Sequence, residues 1–349
     1  MVETEITKRD IRKLKVDELK EFFVQKGDKA FRAQQVYEWL WMKSAKSFDQ
    51  MTNISLETRD LLKQHFVINH IKVDNMQRSA DGTIKNAVTL HDGLVVESVL
   101  IPAEKRITAC VSSQVGCSLA CKFCATARLK RQRNLSPDEI YDQVAAIKEQ
   151  AELFFGRPLT NIVFMGMGEP LLNYVNVTAA IEKITSQKGL NMASRRITVS
   201  TVGIAKMIKK MADENVKFNL AVSLHSALNQ TRSSIMPIND TNSLEELAEA
   251  LTYWYQKTKS KVTYEYVVWK GINDTEEHAR ALLRFCKLVP SKVNLIEYNP
   301  IDDGEFQQAS DDVLDMYMDL LEKNGITTRI RKSRGKDIDA ACGQLANKS

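Results

Sequence analysis

The chain has 349 residues, of which 44% are apolar and 27% charged, with a formal net charge of +5. That is ordinary globular composition with ample material for a core. It excludes a helical membrane protein, since no apolar run approaches the ~20 residues of a span, and the charged opening MVETEITKRD lacks the apolar stretch of a secretory signal.

A cytoplasmic location with no membrane partner is therefore expected. There, the six cysteines read as metal-binding or catalytic before disulfide-forming. Mild basicity is compatible with an RNA partner. Residues 1–68 read as a small helical accessory domain of three amphipathic helices, VDELKEFFVQKG, FRAQQVYEWLWMK and SLETRDLLKQHF. Gly27 is the expected stop of the first. The basic turn after it, with Lys26, Lys29 and Arg32, is a candidate grip on RNA. Residues 69–104 change to β-rich runs punctuated by Asp81-Gly82 and Asp92-Gly93, a hairpin signal, and predict a β-meander linker ending in GLVVESVLIP.

From 105 to 325, strand and helix patterns alternate. The β-rich runs are ITACVSS, NIVFMGMG, RRITVSTVGI, KFNLAVSLHSAL, KVTYEYVVW and KVNLIEYNP. The clearest helix opens at Ser136 with Pro137 in its first turn and Glu139 completing a capping box, followed by the stripe Ile140, Val144, Ile147, Ala151. A second capping box falls at Ser243 and Glu246. Residues 326–349 add a possible extra strand, ITTRIRK, and a tail. Six such units imply right-handed crossovers and a parallel sheet. Periodicity leaves open whether the sheet curls into an incomplete (β/α) barrel or stays an open doubly wound sheet. Either way the chemistry belongs at the C-terminal strand ends.

The stretch TACVSSQVGCSLACKFCATA follows the first of these strands and carries Cys110, Cys117, Cys121 and Cys124. Three thiols in CxxxCxxC suit a soft metal. A structural zinc wants a fourth ligand, and neither His91 nor His225 supplies it convincingly. A four-iron cluster on three thiolates would keep one iron open. Taken singly, Cys110 and Cys342 read equally well as buried small hydrophobes. Cys286, inside HARALLRFCKL, has no motif around it and reads as core. Glu97 in VVESVLIP reads as a strand residue facing solvent. The basic runs Arg128–Asn134 and Thr328–Lys336 flank this region and are candidates for phosphate contact.

CxxxCxxC on such a loop, with the aromatic Phe123 before the last cysteine, resembles the signature of radical S-adenosylmethionine (SAM) enzymes. The resemblance is closer still. CVSSQVGCSLACKFCATA, FMGMGEPLLN, SLHS, RSSIMPIN, VNLIEYNP and DIDAACGQL are similar to the RlmN/Cfr family of RNA adenosine methyltransferases, and GMGEP followed by LLN resembles its RlmN branch. The resemblance implies an α/β fold, an incomplete (β/α)6 radical-SAM barrel with a small N-terminal helical accessory domain and β-meander. It implies a [4Fe-4S] cluster on Cys117, Cys121 and Cys124 with its fourth iron open to SAM, and two SAM molecules per turnover. Cys342 would carry the methyl group, Cys110 would resolve the covalent RNA adduct by disulfide formation, and Glu97 would accept a proton. Gly168, Glu169, Ser200, Ser223, Leu224, His225 and Asn299 would contact SAM. The implied substrates are carbon 2 of an adenosine in 23S rRNA and in tRNA, with a flavodoxin-like reductant and a monomeric chain. The alternatives are carbon-8 methylation, as in the Cfr branch, and a non-catalytic RNA-binding protein with structural zinc.

Overall fold

Three ten-residue helices, α1 (Val16–Gln25), α2 (Arg32–Trp41) and α3 (Leu56–His65), open the chain. Helices of this length are marginal alone, so each is held by the face it buries: Leu19 and Phe23, then Val36, Leu40 and Trp41, then Leu62. Gly27, at φ +78°, turns the chain after α1. The computed structural model describes residues 8–301 and 305–347.

The N-terminal segment is locked to the body by a buried charge cluster. The Arg12 guanidinium lies 2.7 Å from Asp142 and 3.4 Å from Asp138, both on α4 (Pro137–Phe155), with Asp10 at 3.9 Å. Burial pushes the Asp138 and Asp142 carboxyls up, and Arg12 opposes it. Beside this cluster the Trp41 and Tyr141 rings meet edge to face at 5.1 Å.

Ten strands form one sheet whose spatial order follows the sequence. The meander strands β1 (Lys72–Arg78), β2 (Ile84–Thr89) and β3 (Val95–Ala103) are antiparallel. The segment expected as a linker is thus the antiparallel end of the main sheet: β3 pairs with β4 (Arg106–Cys110). From β4 onward every pairing is parallel, through β5 (Asn161–Phe164), β6 (Ile197–Thr201), β7 (Asn219–Ser223), β8 (Val262–Val267), β9 (Ser291–Ile296) and β10 (Thr327–Arg331). The possible extra strand of the sequence is β10, so the six strand–helix units are followed by a seventh parallel strand.

The sheet curls. Thr108, Asn161, Thr198, Asn219, Thr263, Lys292 and Thr327, one from each parallel strand, line a single cavity of about 810 Å³. Strands of a flat doubly wound sheet would not converge on one space, so the partial barrel is the fold. Helices α5 (Tyr174–Thr185), α6 (Ala205–Asp213), α7 (Asn229–Ile235), α8 (Leu244–Thr258), α9 (Glu276–Cys286) and α10 (Asp311–Lys323) supply the crossovers together with α4. The capping boxes at Ser136/Glu139 and Ser243/Glu246 are both formed. The predicted stripe of α4 is buried, and Cys286 on α9 is core.

After β10 the chain runs back toward the meander as a strap. Gly335 N donates to Asp81 Oδ2 at 3.0 Å, and Asp337 accepts from Ser79 Oγ at 2.6 Å and Ala80 N at 3.0 Å. Among the described residues, no helix is long and apolar enough to cross a membrane.

Removing one partner of a buried ion pair strands the other charge. Arg12→Ala is expected to destabilise the protein by about 3–5 kcal/mol in denaturant unfolding; a loss below about 1 kcal/mol would show that this cluster does not hold the N-terminal segment in place.

Candidate active site

The cysteine loop leaves the end of β4 and is closed at its base by a two-rung antiparallel pairing, Gln114 with Asn134 and Val115 with Arg133. Gly116 sits at the crossing with φ +74°, where a Cβ would lie 2.5 Å from the Lys130 carbonyl oxygen; only glycine fits. Backbone bonds fix the loop: Cys117 N to Leu129 O at 3.3 Å, Cys124 N to Cys121 O at 3.2 Å, Lys122 N to Ile235 O at 3.0 Å.

Cys117, Cys121 and Cys124 line a pocket of about 170 Å³ at the C-terminal ends of the strands. Burial pushes the Cys117 thiol up to about 11 and raises Cys121 and Cys124 as well, and each feels the charge of another. Buried thiols of this kind become thiolates when a cation compensates them. Among the described residues, no three Cys, His, Asp or Glu side chains converge on the position of a single metal ion. A lone zinc would draw its thiolates to within ~4 Å of one another, whereas an iron–sulfur cluster spreads them over separate irons. The donor set fits the cluster.

The pocket wall opposite comes from successive strand ends. Gly168 has φ +90°, and a Cβ there would lie 2.4 Å from the Gln114 side chain. This tight approach lets Gln114 Oε1 accept from Glu169 N at 2.8 Å. The Glu169 carboxylate is buried and accepts from Leu171 N and Val202 N, both at 3.0 Å. Burial lifts it to about 7 against the pull of those N–H groups. Ser200 is the penultimate residue of β6 and Ser223 ends β7; both line the pocket. His225 follows in the left-handed region at φ +55°. Its Nδ1 accepts from Val267 N at 3.2 Å, and its ring packs 4.8 Å from Phe123 and 5.7 Å from Trp269. Burial and the nearby Arg232 lower it to about 3, so it is neutral. Asn299 lines the same wall, and its buried Oδ1 has no hydrogen-bond partner, an acceptor left for a ligand to satisfy.

Leu224 stands apart from this group. Its side chain is fully buried and lines neither cavity. Its backbone does the positioning, donating to Glu265 O at 3.0 Å and accepting from Arg232 Nε at 3.1 Å. Arg232 is itself fully buried and near Cys121.

The C-terminal tail lies over the mouth. Ala125 N donates to Gly343 O at 2.7 Å, Thr126 Oγ1 to Leu345 O at 2.6 Å, Gln344 Nε2 to Pro300 O at 3.1 Å, and Asn299 Nδ2 to Cys342 O at 3.2 Å. Cys342 lines both the small pocket and the large cavity; Cys110 lines the large one. All six cysteines are free thiols. Burial pushes the Cys110 thiol up to about 12, and the nearby Cys342 adds to the shift.

Two residues of this constellation escape sequence reasoning. Arg331 Nη2 is 3.6 Å from Cys342 Sγ, and Arg331 Nη1 is 3.5 Å from Glu265 Oε2. The negative charge available at Cys342 and Glu265 holds the guanidinium firmly ionised. Arg331 was hidden in a run of basic residues and Glu265 in an apolar strand. A carboxylate inside TYEYVV, with an arginine ending the extra strand, was the only signal.

Glu97 is buried on β3 and lines neither cavity. Its carboxylate faces Lys85 and the amides of Ala346 and Asn347. The strand face expected to be solvated is covered by the tail. Of the basic runs, Arg133 is engaged by Asp92 at 2.6 Å and Glu139 at 2.8 Å. Arg329, Lys332 and Arg334 line the large cavity, as do Arg106, Arg195 and Lys292. Lys26 and Lys29 are exposed on the turn after α1, far along the chain from the pocket residues.

A three-cysteine pocket at the mouth of a partial barrel defines a class, and comparison with known proteins agrees. The sequence profile of the Radical SAM superfamily matches residues 111–283, and that of the Ribosomal RNA large subunit methyltransferase N-terminal domain matches residues 9–68. The fold is that of radical SAM methyltransferases. The crystal structure of a radical SAM methyltransferase from Sphaerobacter thermophilus is similar at a TM-score of 0.92 and 36% identity, covering 97% of this chain and 100% of that one. Such enzymes carry a [4Fe-4S] cluster and use SAM.

The chain is 69% identical over 342 residues to the probable dual-specificity RNA methyltransferase RlmN of Christiangramia forsetii, covering 98% of this chain and 97% of that protein. It is also 69% identical to that of Flavobacterium psychrophilum, over 99% of both chains. The chain belongs to the RlmN family of radical SAM dual-specificity RNA methyltransferases, and its substrate is RNA.

The contact between Arg331 and Cys342 has a measurable consequence. Arg331→Met removes the positive charge facing the sulfur and is expected to slow alkylation of Cys342 about tenfold, the equivalent of ~1.4 kcal/mol. Peptide mass mapping after timed iodoacetamide treatment reads this directly. An unchanged rate would show that the guanidinium does not activate the thiol.

Proposed function

We propose that this chain methylates carbon 2 of a specific adenosine in 23S rRNA and in tRNA, with Cys342 as methyl carrier and Cys110 as resolving thiol. One observation carries the reading: the tail sets Cys342 at the junction of the thiol-lined pocket and the polar cavity that Cys110 shares. A carrier must meet its methyl donor on one side and its acceptor on the other.

Cys117, Cys121 and Cys124 hold the cluster, which with SAM supplies a 5′-deoxyadenosyl radical. Gly168, Glu169, Ser200, Ser223, His225 and Asn299 hold SAM, with the Glu169 carboxylate toward its ammonium; the Leu224 backbone sets their spacing. Two SAM molecules serve each turnover, one as methyl donor and one as radical source. Carbon 2 of adenine lies between two ring nitrogens and is electron-poor, so ordinary nucleophilic methylation fails there. The Cys342 sulfur, 3.6 Å from Arg331 Nη2, takes the methyl group of one SAM as a thioether, and S-adenosylhomocysteine leaves. Loss of one hydrogen atom from that methyl leaves a carbon radical on Cys342 able to add to the base. The adduct would then lose one electron to the oxidised cluster and the carbon-2 proton to solvent water. Cys110, as thiolate, attacks the Cys342 sulfur: an S–S bond forms, the S–C bond breaks, and the electron pair leaves with the methylene carbon, which is protonated to methyl. The disulfide is returned to two thiols by an external reductant before the next cycle. A flavodoxin-like protein is the electron donor proposed for SAM cleavage, and a monomer acting in the cytoplasm is the proposed working form. The cations around the large cavity suit an RNA backbone, and the target base would leave its stack to enter.

Nucleoside mass analysis of rRNA and tRNA treated with the reconstituted enzyme tests the specificity. The expected product is 2-methyladenosine; 8-methyladenosine would assign the chain to the other chemistry of its superfamily relatives. Cys342→Ala should abolish methylation and leave no protein-bound methyl, and normal turnover would refute the carrier role. Cys110→Ala should load methyl on Cys342 yet accumulate a covalent protein–RNA adduct. Free product release by that variant would remove Cys110 from the mechanism.

A further inference from the structure

We infer that Glu97 is a positioning residue: its carboxylate anchors the tail that carries Cys342, and it is not the group that receives the proton from the adduct. The inference rests on the reading of Cys342 as the methyl carrier.

Both carboxylate oxygens of Glu97 are committed. Oε1 lies 3.2 Å from Lys85 Nζ, and the two side chains are 1% and 4% exposed. Oε2 accepts from Ala346 N at 2.8 Å and from Asn347 N at 3.1 Å. Two residues earlier on the same face of β3, the Val95 carbonyl accepts from Asn347 Nδ2 at 2.8 Å. Three residues of tail, Gly343 to Leu345, separate this anchor from Cys342. On the Cys342 side the tail is held by Asn299, Ala125 and Thr126. The tail is therefore held from the Cys342 carbonyl onward, with Glu97 at the far end of the held run.

The energetics favour an anchor. A buried ion pair recovers its desolvation only if the remaining lone pairs are satisfied, and here the tail amides satisfy them. Release of the tail would leave Glu97 Oε2 buried with an unmet charge, so the pair holds the tail and the tail completes the pair. A proton acceptor must present an oxygen to the space the substrate enters. The Glu97 carboxylate lines neither cavity, and its oxygens face three donors of the protein itself.

The test separates anchor from base by keeping one property and removing the other. Lys85→Met combined with Glu97→Gln removes the buried cation, keeps a carbonyl acceptor for the tail amides, and cannot take up a proton. Lys85→Met with Glu97→Ala removes the acceptor as well. Ala346→Pro deletes one donor from the tail side without touching the sheet. Three readouts are taken on the cluster-loaded enzyme: hydrogen exchange of the tail peptide 340–347, methyl loading of Cys342 with SAM and reductant but no RNA, and product release with RNA. The Glu97→Ala pair and Ala346→Pro should each exchange tail amides at least tenfold faster and load methyl at least tenfold more slowly. The Glu97→Gln pair should stay within about threefold of the parent in all three readouts. A protected tail with normal loading in the Glu97→Ala pair would overturn the anchor. So would a Glu97→Gln pair that loads normally but accumulates protein–RNA adduct, the behaviour of a lost base. Should the parent enzyme itself leave Cys342 unmethylated, the carrier reading fails instead, and tail exchange alone still decides the role of Glu97.

Discussion

Two hydrogen bonds join the cysteine loop to the tail: Ala125 N to Gly343 O, and Thr126 Oγ1 to Leu345 O. They tie residues more than two hundred positions apart. Without them the three thiols of the loop would face an open barrel mouth, and Cys342 would be an unplaced residue on a chain end. With them, Cys342 becomes part of the wall of both cavities, opposite Arg331 and near Cys110. The chain thus spends its last residues on placement rather than on added core. Closing so long a loop costs conformational entropy, and the density of side-chain contacts to the tail is the offset.

The barrel interior departs from the usual packed core. In many barrels the inward positions are filled by branched apolar side chains. Here threonines, asparagines and cations share the lining of an open space with apolar residues such as Val163 and Val293. Apolar packing is displaced outward, to the interface between the sheet and the surrounding helices, where Trp254, Tyr264 and Tyr317 are fully buried. The arrangement gives up core volume for a chamber that can admit a polar, anionic guest.

Features that depend on neighbours in the chain were legible in the sequence. The capping boxes at Ser136 and Ser243 and the Asp-Gly turns are local chemistry, and they folded as local chemistry. The cysteine spacing was equally plain, because three ligands on one loop need no tertiary information. What the sequence hid was contact at long range. Arg331 looked like one more surface cation, since nothing nearby in the chain reveals that β10 ends beside Cys342. Glu265 and Glu97 sit in strands whose inner and outer faces are told apart only once the sheet curls and the tail covers it. The same blindness made the meander look like a linker, because its pairing with β4 is a matter of edge contact and not of pattern.

Among the described residues the sheet has two free margins, β1 and β10, and no ladder joins them. What spans the gap is the strap after β10, tied to Ser79, Ala80 and Asp81 by side-chain carboxylates and single amides. A hoop closed by a continuous ladder cannot widen without breaking its staves apart. This one is laced rather than riveted, so its bore can gape by slipping a few knots while every rung between adjacent staves stays intact.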